Sequence, residues 1–390
     1  MDTLTTTQPV THKLPNPCGA HVLARALKRH GVSIIFGQSL PSALHLVAPE
    51  FGLKQFAYRT ENAGAAMADG YARATNRVSV VTAQNGPAAA LLAPGLAEAY
   101  KASIPIVAIV QDVRRNQTDK NAFQELDHFD IFRGCAKWVK RVAEASRIED
   151  YVDMAFTAAA SGRPGPAVLL FPQDLLQEAV KADATTPRNA VLSHFPLDRS
   201  AADPARVAEA AKLLAEAERP LIVAGGGVHS SQATEVLACL QDEAHIPVAT
   251  SSMGKGAVSE LHPLSVGVIG YFMGKRGMAR YLRPLVTEAD AILFIGNRTN
   301  QNGTDSWTLF PKNARYIHLD IDGQEVGRNY EALRLVGDAK LSLEALSDAL
   351  SKQDLSKRKS ARAKVEQQIA AGRKAHTDEA QAMQIGRAHV

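Results

Sequence analysis

Residues 58–73, with the sequence YRTENAGAAMADGYAR, decide the fold of this chain. The stretch follows an apolar run that includes Leu53 and Phe56, and its many alanines favour a helix. Asn62 is a residue type that can cap the start of a helix. We therefore predict that a strand ends here and turns directly into a helix. Glu61 then lies at the kind of junction where α/β sheets usually carry their chemistry.

Short runs of β-branched residues alternate with alanine-rich amphipathic segments along most of the chain, a pattern typical of parallel α/β layers. The pattern fades once, in a polar stretch that contains proline, and resumes beyond it. We therefore predict an α/β protein with two consecutive parallel-sheet domains. In chain order, the prediction is a disordered arm (1–17), a first domain (18–177), a linker (178–200), a Rossmann-like second domain (201–350) and a connector helix with a tail (351–390).

The same periodicity predicts the individual elements. In the first domain the predicted helices are Cys18–His30, Asn62–Ala74, Pro87–Ala99 and Ile148–Ser161. The predicted strands there are Ser33–Phe36, Gln55–Tyr58, Val78–Thr82, Ile104–Val110 and Ala167–Phe171. In the second domain the predicted strands are Leu221–Ala224, Pro247–Thr250, Ala291–Ile295 and Tyr316–Asp320. Beyond it, Ser351–Arg373 is rich in charge and predicts a solvated helix without an apolar core pattern.

Composition and charge exclude several classes of protein. The net charge is only +4 and is spread without a basic block, so nothing indicates a nucleic-acid partner. No apolar run reaches membrane-spanning length, and the N-terminus lacks the apolar core of a secretory signal. Cys18, Cys135 and Cys239 are far apart and fit a reducing compartment. We expect a soluble, cytoplasmic protein with no membrane partner.

The histidines give no metal motif. None of them shows the spacing of metal ligands, so we predict no metal site within this chain and expect each to be a surface residue or a satisfied polar one. The histidines considered are His12, His21, His30, His128 and His262.

Two further segments of the first domain carry candidate site residues. In VTAQNGPAAALLAPGLAEAYKASIPIVAIVQDV (81–113), Gly86 permits a close backbone approach and Pro87 suits the first position of a helix. An ordinary strand-to-helix turn has the same residues. In NAFQELD (121–127), Gln124 alone is only a loop glutamine, and Glu125 is a weaker candidate.

These segments together resemble the pyrimidine-binding domain of the thiamine diphosphate enzymes of the acetolactate synthase type, as do Arg133–Val142 and Ser161–Leu175. On spacing alone Glu61 also fits an acid stabilised by a helix N-terminus. The resemblance implies that Glu61 contacts the aminopyrimidine ring of the cofactor and starts catalysis, and that Gln124 reaches the active site. The other residues that it implies beside the cofactor are Gln84, Gly86 and Pro87.

The chain departs from that family at several points, among them Gln84-Asn85, which replaces the small residues more usual there, and RTNQNGT (298–304) after Gly296. Thr60 stands where the family often has histidine, so any role of that histidine is absent. FGQSLPSAL (36–44) replaces a loop containing Gly and Pro that lies by the thiazolium and the substrate in the family. The changed loop at 36–44 leaves the identity of the substrate open.

The second domain resembles the family's central domain in SSMGKGAVSELHPLSVGVIG (251–270), FIGNRTNQNGTDSW (294–307) and YIHLDIDGQEVGRN (316–329). That domain holds FAD in acetolactate synthases, whereas several relatives bind no nucleotide there, and both alternatives stay open. The Gly-Gly-Gly turn at 225–227 is only half of a dinucleotide fingerprint. By resemblance, the residues that would line a flavin site are Arg163, Gly254, Lys255, Gly296, Arg298 and Asp320.

The family's third domain, whose Gly-Asp-Gly motif holds the Mg2+ that clamps the diphosphate, has no counterpart in this sequence. The last residues, IGRAHV, match the translation of a common sequencing adapter. We therefore expect a truncated gene model that binds the cofactor weakly and is inactive alone. The cofactors implied are thiamine diphosphate, Mg2+ through the missing domain, and FAD where the central domain binds it.

The resemblance implies decarboxylation of a 2-keto acid such as pyruvate, followed by ligation to a second carbonyl, as in branched-chain amino acid biosynthesis. A homodimer or homotetramer is implied because the family's sites lie between subunits. Within catalysis, a 2-keto acid decarboxylase and an acetyltransferase of the same superfamily remain alternatives. Outside catalysis, the alternatives are a nucleotide-binding module and an inert fragment.

Overall fold

The computed structural model of this protein describes residues 14–181, 188–275, 277 and 279–382. It divides into two compact units, Met1–Leu197 and Asp198–Val390. Each unit contains a six-stranded sheet in which the strands run parallel. The predicted fold class is confirmed. Most of the predicted N-terminal arm and the IGRAHV ending lie outside the described residues.

The first unit has a sheet with the strand order β2-β1-β3-β4-β6-β5. Its strands are β1 (Ile34–Phe36), β2 (Lys54–Phe56), β3 (Ser79–Ala83), β4 (Ile106–Asp112), β5 (Trp138–Arg141) and β6 (Ala167–Pro172). Its helices are α1 (Gly19–Arg29), α2 (Ser42–Val47), α3 (Glu61–Thr75), α4 (Pro87–Ala102), α5 (His128–Arg133), α6 (Ile148–Ala160) and α7 (Gln173–Gln177). Strands β3, β4 and β6 are buried along their whole length, as expected for parallel strands covered on both faces.

The strand order of the first sheet changes direction between β1 and β3. Phe36 of β1 pairs with Phe56 on one side and with Val81 on the other, so the strands end at one edge of the sheet. In open α/β sheets a ligand binds outside the carboxyl ends of the strands, at the point where the order reverses. The loops after β1, β2 and β3 therefore converge on the expected place for a site.

Helix α3 begins one residue earlier than predicted. Thr60 has an extended backbone, with φ of −135° and ψ of 148°, and takes the cap position, which makes Glu61 the first helical residue. Asn62 lies inside the first turn, where its Oδ1 accepts from the Ala63 amide at 2.9 Å. The prediction that Asn62 caps this helix was therefore wrong, because the chain leaves the extended conformation before reaching it.

Two glycines let α3 pack closely against its surroundings. A Cβ on Gly64 would lie 2.3 Å from the Tyr58 ring, so the ring rests directly on the first turn of the helix. A Cβ on Gly95 of α4 would lie 2.4 Å from the Cβ of Ala65. The helices that start at Glu61 and after Gly86 thus meet almost backbone to backbone. Helix α4 runs to Ala102, beyond the predicted end at Ala99, although Pro94 lies inside it.

The second unit has the strand order β9-β8-β7-β10-β11-β12, which is the dinucleotide-binding order, with reversal between β7 and β10. Its strands are β7 (Pro220–Ala224), β8 (Val248–Thr250), β9 (Ser265–Val268), β10 (Ala291–Ile295), β11 (Arg315–Asp320) and β12 (Leu333–Val336). Its helices are α8 (Pro204–Glu216), α9 (Gly227–Ser230), α10 (Thr234–Glu243), α11 (Arg283–Thr287), α12 (Ala339–Leu350) and α13 (Ser356–Ala382). None of the described helices combines the length and apolar character that a membrane crossing requires.

Helix α13 is not the purely solvated helix that its composition predicts. Ile369 is completely buried in the second unit, and Arg358 is buried as well. The Arg358 guanidinium donates to the carbonyl of Ala217 at 3.2 Å, and also to that of Leu214, at the end of α8. Val365 and the buried Gly372 lie on the same side of the helix as Ile369 and pack against the second unit, so a short apolar stripe and a buried arginine attach a helix that is otherwise mostly polar. The stripe is too short for periodicity to show it in a sequence so rich in charge.

Candidate functional site at the carboxyl edge of the first sheet

Glu61 lies at the carboxyl edge of the first sheet, where the segment after β2 enters α3. Its side chain is half-buried, and its carboxylate has no hydrogen bond or ion pair among the residues that the structure describes. The first turn of a helix stabilises a negative charge, so this position holds a carboxylate without a side-chain partner. A half-buried acid of this kind can accept a hydrogen bond from a ligand, or share a proton with it.

The segment that carries Glu61 is fixed by hydrogen bonds to neighbouring strand ends. The buried Tyr58 hydroxyl donates to the Thr82 carbonyl of β3 at 2.5 Å. Gln38, in the loop after β1, donates from Nε2 to the carbonyls of Tyr58 and Arg59, each at 3.0 Å. Burial, and then the charge of Glu61, raise the pKa of Tyr58, so its hydroxyl stays protonated and keeps its donor role. Glu61 is thus held at a defined position next to β1 and β3.

Four of the predicted site residues meet at the turn after β3. Gly86 has a φ of +67°, and a Cβ there would lie 2.4 Å from the Gln124 carbonyl oxygen. Gln84 donates from Nε2 to Gln124 Oε1 at 3.1 Å. Pro87 is the first residue of α4, as predicted from its position after glycine. Position 86 requires glycine because a side chain would collide with Gln124 and because the backbone is left-handed.

The loop that carries Gln124 is braced from two sides. Buried Asn85 donates from Nδ2 to the carbonyls of Phe123 and Gln124, at 2.8 and 3.1 Å. Glu125 accepts the amides of Asp119 and Ala122, at 2.8 and 3.0 Å. These bonds hold Gln124 in a left-handed conformation, with φ of +56°, that a non-glycine residue seldom adopts. Glu125 therefore shapes the loop, while Gln124 is presented at the edge of the sheet.

A buried chain of polar groups lies behind the turn, and sequence reasoning missed it. His128 Nε2 accepts the Gly86 amide at 2.9 Å, and His128 Nδ1 lies 3.2 Å from Asp112 Oδ1. Arg141 Nε lies 2.6 Å from the other Asp112 oxygen. Burial alone would raise the pKa of Asp112, but the His128 hydrogen bond and the Arg141 charge bring it below its ordinary value. Asp112 is the last residue of the buried strand β4, and a carboxylate at such a place is the one sign in the sequence that a partner is required.

In the second unit, glycine backbones meet at the reversal between β7 and β10. A Cβ on Gly225 would lie 2.2 Å from the Gly296 carbonyl oxygen, and one on Gly254 would lie 2.2 Å from the Ala224 carbonyl oxygen. The Gly227 amide donates to the Gly296 carbonyl at 3.0 Å. Among the residues predicted for a flavin site, the structure thus gathers Gly254 and Gly296 around Gly225.

The charged residues predicted for that flavin site have protein partners. Lys255 pairs with Glu260, and Asp320 accepts the Asp322 amide at 2.9 Å. Arg298 is half-buried, two residues after the glycine that follows β10.

Arg163 belongs to the first unit, where it caps the end of α4. Its Nε donates to Ser103 Oγ at 2.9 Å, and its terminal nitrogen donates to the Tyr100 carbonyl at 3.2 Å. The guanidinium also lies over the Tyr100 ring. A structural role therefore accounts for this arginine within its own unit.

The described ranges contain no group of three or more His, Cys, Asp or Glu side chains arranged to hold a metal ion.

The fold and the site together define a class of protein. The N-terminal thiamine pyrophosphate binding domain of the thiamine pyrophosphate enzymes matches residues 18–131, and the central domain of the same enzymes matches residues 207–346. The chain belongs to the thiamine pyrophosphate enzymes.

Within that class the chain is similar to acetolactate synthases. It is 38% identical over 332 residues to the acetolactate synthase large subunit of Parasynechococcus marenigrum, covering 83% of this chain and 53% of that protein. It is 36% identical over 342 residues to an acetolactate synthase of Arthrospira platensis, covering 86% and 58%. A probable acetolactate synthase large subunit of Methanocaldococcus jannaschii is 36% identical, with 85% and 56% covered. The chain spans about half the length of these curated relatives.

Proposed function

We propose that the whole protein to which these two units belong is a thiamine diphosphate-dependent enzyme of the acetolactate synthase type. It would decarboxylate a 2-keto acid such as pyruvate and join the remaining carbon unit to a second carbonyl compound. The substrate class comes from the relatives, which are named as acetolactate synthases. Decarboxylation without ligation, and transfer of the acetyl unit to another acceptor, are the alternatives within the same chemistry.

The observation that carries this proposal is the Glu61 carboxylate. It is half-buried and without a side-chain partner in the described part of the chain, and it starts a helix at the ligand-binding edge of a parallel sheet. The segment around Glu61 is held by hydrogen bonds, whereas the carboxylate itself has no partner there. This contrast favours a ligand that supplies the missing hydrogen bond. The segment is rigid because Tyr58 and Gln38 tie it to adjacent strands.

The residues present fit the aminopyrimidine half of thiamine diphosphate. Its ring nitrogen can bond a carboxylic acid, and its apolar faces suit an edge built from alanine, glycine and proline, such as the start of α4. When bound, thiamine diphosphate supplies the carbon nucleophile that attacks the 2-keto group and accepts the electron pair left by CO2. Glu61 would hold a proton at its carboxylate against the ring nitrogen. The fixed position of the carboxylate is its contribution to the rate.

Gln124 and Gln84 are the side chains that we propose to face the reacting groups. Their amides are bonded to each other at 3.1 Å, which leaves the Gln124 NH2 group and the remaining Gln84 oxygen for a ligand's oxygen or N–H. An amide pair orients a carboxylate or a carbonyl without changing its charge. We therefore assign Gln124 to the orientation of the substrate.

FAD is a finer part of the proposal and rests on other evidence. The strand order of the second unit supports a nucleotide outside β7 and β10. The amides of Gly225 and Gly227 are already bonded to the carbonyls of Ile295 and Gly296, so they do not fit a phosphate cradle. We therefore assign no FAD contact to the Gly225 and Gly227 amides, and the proposed flavin site keeps the five residues of the second unit that the resemblance implies, namely Gly254, Lys255, Gly296, Arg298 and Asp320.

Mg2+, a homodimer or homotetramer and a cytoplasmic location stay predictions from the resemblance. The Mg2+ ligands are expected outside this chain's two units. A site completed by a second subunit would suit the open side of Glu61.

The first test uses the chain itself. A 4-amino-2-methylpyrimidine titration, followed by the NMR signals of the Glu61 side chain and the Gly86 amide, is expected to show millimolar binding. Glu61→Ala should abolish the shifts, because the bond to the ring nitrogen is lost. Calorimetry with thiamine diphosphate and Mg2+ should give affinity weaker than micromolar. A wild-type chain whose Glu61 and Gly86 signals do not respond to the pyrimidine would refute the proposal.

The second test adds the part of the relatives that this chain does not span. The chain fused to the carboxyl-terminal part of an acetolactate synthase relative should convert pyruvate to acetolactate with thiamine diphosphate and Mg2+. Glu61→Gln should lower turnover by about 10² to 10⁴, the range of a lost acid-base group. Acetaldehyde as the main product would favour the decarboxylase alternative, and a folded fusion that consumes no pyruvate would contradict both.

A further inference from the structure

The turn that carries Gln84 and Gly86 rests on a buried imidazole. His128 is completely buried and its Nε2 accepts the Gly86 amide at 2.9 Å. Gly86 is buried and its amide faces the buried imidazole, so water cannot replace a missing acceptor. A buried amide without an acceptor keeps the full cost of its desolvation and destabilises the local structure. His128 is therefore what makes this conformation of the turn stable.

The proton of His128 has one arrangement that satisfies both of its neighbours. Because Nε2 accepts from Gly86, the ring proton must lie on Nδ1, where it is donated to Asp112 Oδ1 at 3.2 Å. Asp112 is almost fully buried and has Arg141 2.6 Å from its other oxygen. A carboxylate held in this way fixes which nitrogen of a histidine carries the proton.

The position of the turn at Gln84 and Gly86 also determines the position of Gln124. Asn85 holds the Phe123 and Gln124 carbonyls, and Gln84 holds the Gln124 side chain. A displaced Gly86 would release these contacts together. The buried chain is thus connected, through one backbone amide, to the two side-chain amides at the edge of the sheet.

We propose that His128 is a positioning residue for this site, with Asp112 and Arg141 fixing its tautomer. It touches no ligand and acts through the Gly86 amide to set Gln84 and Gln124 in the geometry that a bound 2-keto acid meets. The inference about the ligand rests on the proposed function. The inference about the turn rests on the hydrogen bonds alone, and the two are tested separately.

The central experiment compares two substitutions without any ligand. His128→Phe keeps a ring but removes the acceptor, and the amide hydrogen exchange of Gly86 should become about ten- to a hundredfold faster. His128→Gln offers an amide oxygen near the position of Nε2 and should keep the Gly86 exchange within about threefold of the wild type. The Glu125 amide, which donates within the Gln124 loop, should follow Gly86 in both variants.

A matched control separates positioning from general loss of stability. Phe156→Leu should create a cavity in the core on the other face of the same sheet. It should lower the unfolding midpoint as much as His128→Phe or more, while the local exchange of Gly86 keeps its wild-type rate under native conditions. Equal acceleration of Gly86 exchange in Phe156→Leu would overturn the proposal, as would unchanged exchange in His128→Phe.

A spectroscopic readout does not depend on any variant folding. In the wild-type protein, the side-chain nitrogen signals of His128 should show a protonated Nδ1 and an unprotonated Nε2. A proton on Nε2 would overturn the proposal, because Gly86 could not then donate to it. If the exchange and nitrogen signals are as expected but the wild type does not bind the aminopyrimidine, the positioning role of His128 is kept and the proposed function is rejected. If the pyrimidine binds and His128→Phe changes neither Gly86 nor Glu125, only the positioning role is rejected.

Discussion

The two sheets have the same number of parallel strands and each has one reversal in strand order, yet they fill that reversal differently. In the first unit, side chains occupy it: Gln38 and Tyr58 tie the loops together and Glu61 is left without a partner among the described residues. In the second unit, Gly225 and Gly296 bring bare backbone into contact. The same type of sheet therefore has polar side chains at its reversal in the first unit and packed glycine backbone at its reversal in the second.

This difference shows that strand order alone does not define a site. The order of the second sheet is the one associated with dinucleotides, but the Gly225 and Gly227 amides of its glycine turn are bonded within the protein. At the edge of the first sheet, the Glu61 carboxylate has no hydrogen-bond partner among the described residues. Stability should thus be sensitive to added atoms in the second unit and tolerant of changed side chains at Glu61.

The largest effect is expected from Gly225→Ala. The added Cβ would lie 2.2 Å from the Gly296 carbonyl oxygen, a backbone atom that cannot move without breaking the sheet edge. We expect a loss of about 3 kcal/mol or more in the free energy of unfolding, at the upper end of overpacking effects. Urea unfolding followed by circular dichroism measures it.

Gly70→Ala is the matched control for that substitution. Gly70 lies within α3, and a Cβ there meets nothing within 4 Å. Because alanine is the better helix former, this variant should be about 0.5–1 kcal/mol more stable than the wild type. Equal losses at both glycines would show that the close contact in the second unit has no special weight.

Acid should destabilise both units through one buried histidine in each. Burial lowers the pKa of His30 and of His318 from 6.5 to about 4, with a further contribution from the charge of Arg29 at His30 and of Arg334 at His318. The unfolded chain then binds a proton below pH 6.5 that the folded chain refuses until about pH 4, so stability falls as the pH drops between these values. Each histidine should remove about 2 kcal/mol between pH 7 and pH 5.

Variants divide this pH dependence between the units. His30→Gln keeps a donor for Asp153, and His318→Asn keeps an acceptor for the Gly327 amide. Each variant should lose about 2 kcal/mol less of its free energy of unfolding between pH 7 and pH 5 than the wild type does. A pH profile identical to that of the wild type in either variant would mean that the corresponding histidine titrates normally.

Tyr58→Phe should have a moderate effect. The substitution removes the hydroxyl that donates to the Thr82 carbonyl but keeps the ring against Gly64. We expect a loss of about 1 kcal/mol in the free energy of unfolding, typical of one buried hydrogen bond. Thermal unfolding of the variant and the wild type, side by side, checks it, and a variant as stable as the wild type would argue against the anchoring role.

The smallest effect on stability is expected where the effect on function is largest. Glu61→Ala removes a carboxylate that has no partner among the described residues, so the free energy of unfolding should change by no more than about 0.5 kcal/mol. The same denaturant series measures it. A loss above 2 kcal/mol would reveal a structural role and would remove the contrast between the two units.

The sequence was sufficient for the fold class and for the family, because both follow from local features. The alternation of apolar runs and alanine-rich segments predicted parallel layers, and the glutamate before an alanine-rich helix resembled a family motif. Three strands were missed: β5, β9 and β12, each of which has only four residues and a partly exposed burial pattern. Short edge strands carry too little alternation for sequence periodicity to reveal them.

The contact of His128 with Gly86 could not be predicted from the sequence. It joins residues 42 positions apart and depends on the left-handed backbone of the glycine. The chain has twelve histidines, and nothing in the local sequence of His128 distinguishes it from the others. The expectation that it is a satisfied polar residue agrees with the structure, but the identity of its partners required three-dimensional coordinates. The roles of Glu61 and Gln124 remain predictions for experiment.

The close packing of Gly95 on Ala65 has a mechanical consequence. Because Gly95 has no side chain at this crossing, a larger residue substituted at either position would push α3 and α4 apart. The tilt would be transmitted along both helices to their first turns, which begin at Glu61 and just after Gly86. These two small residues, of which Ala65 lies one turn beyond Glu61, therefore set the spacing between an acid and a glycine turn, and a larger side chain there would alter the site without contacting a ligand.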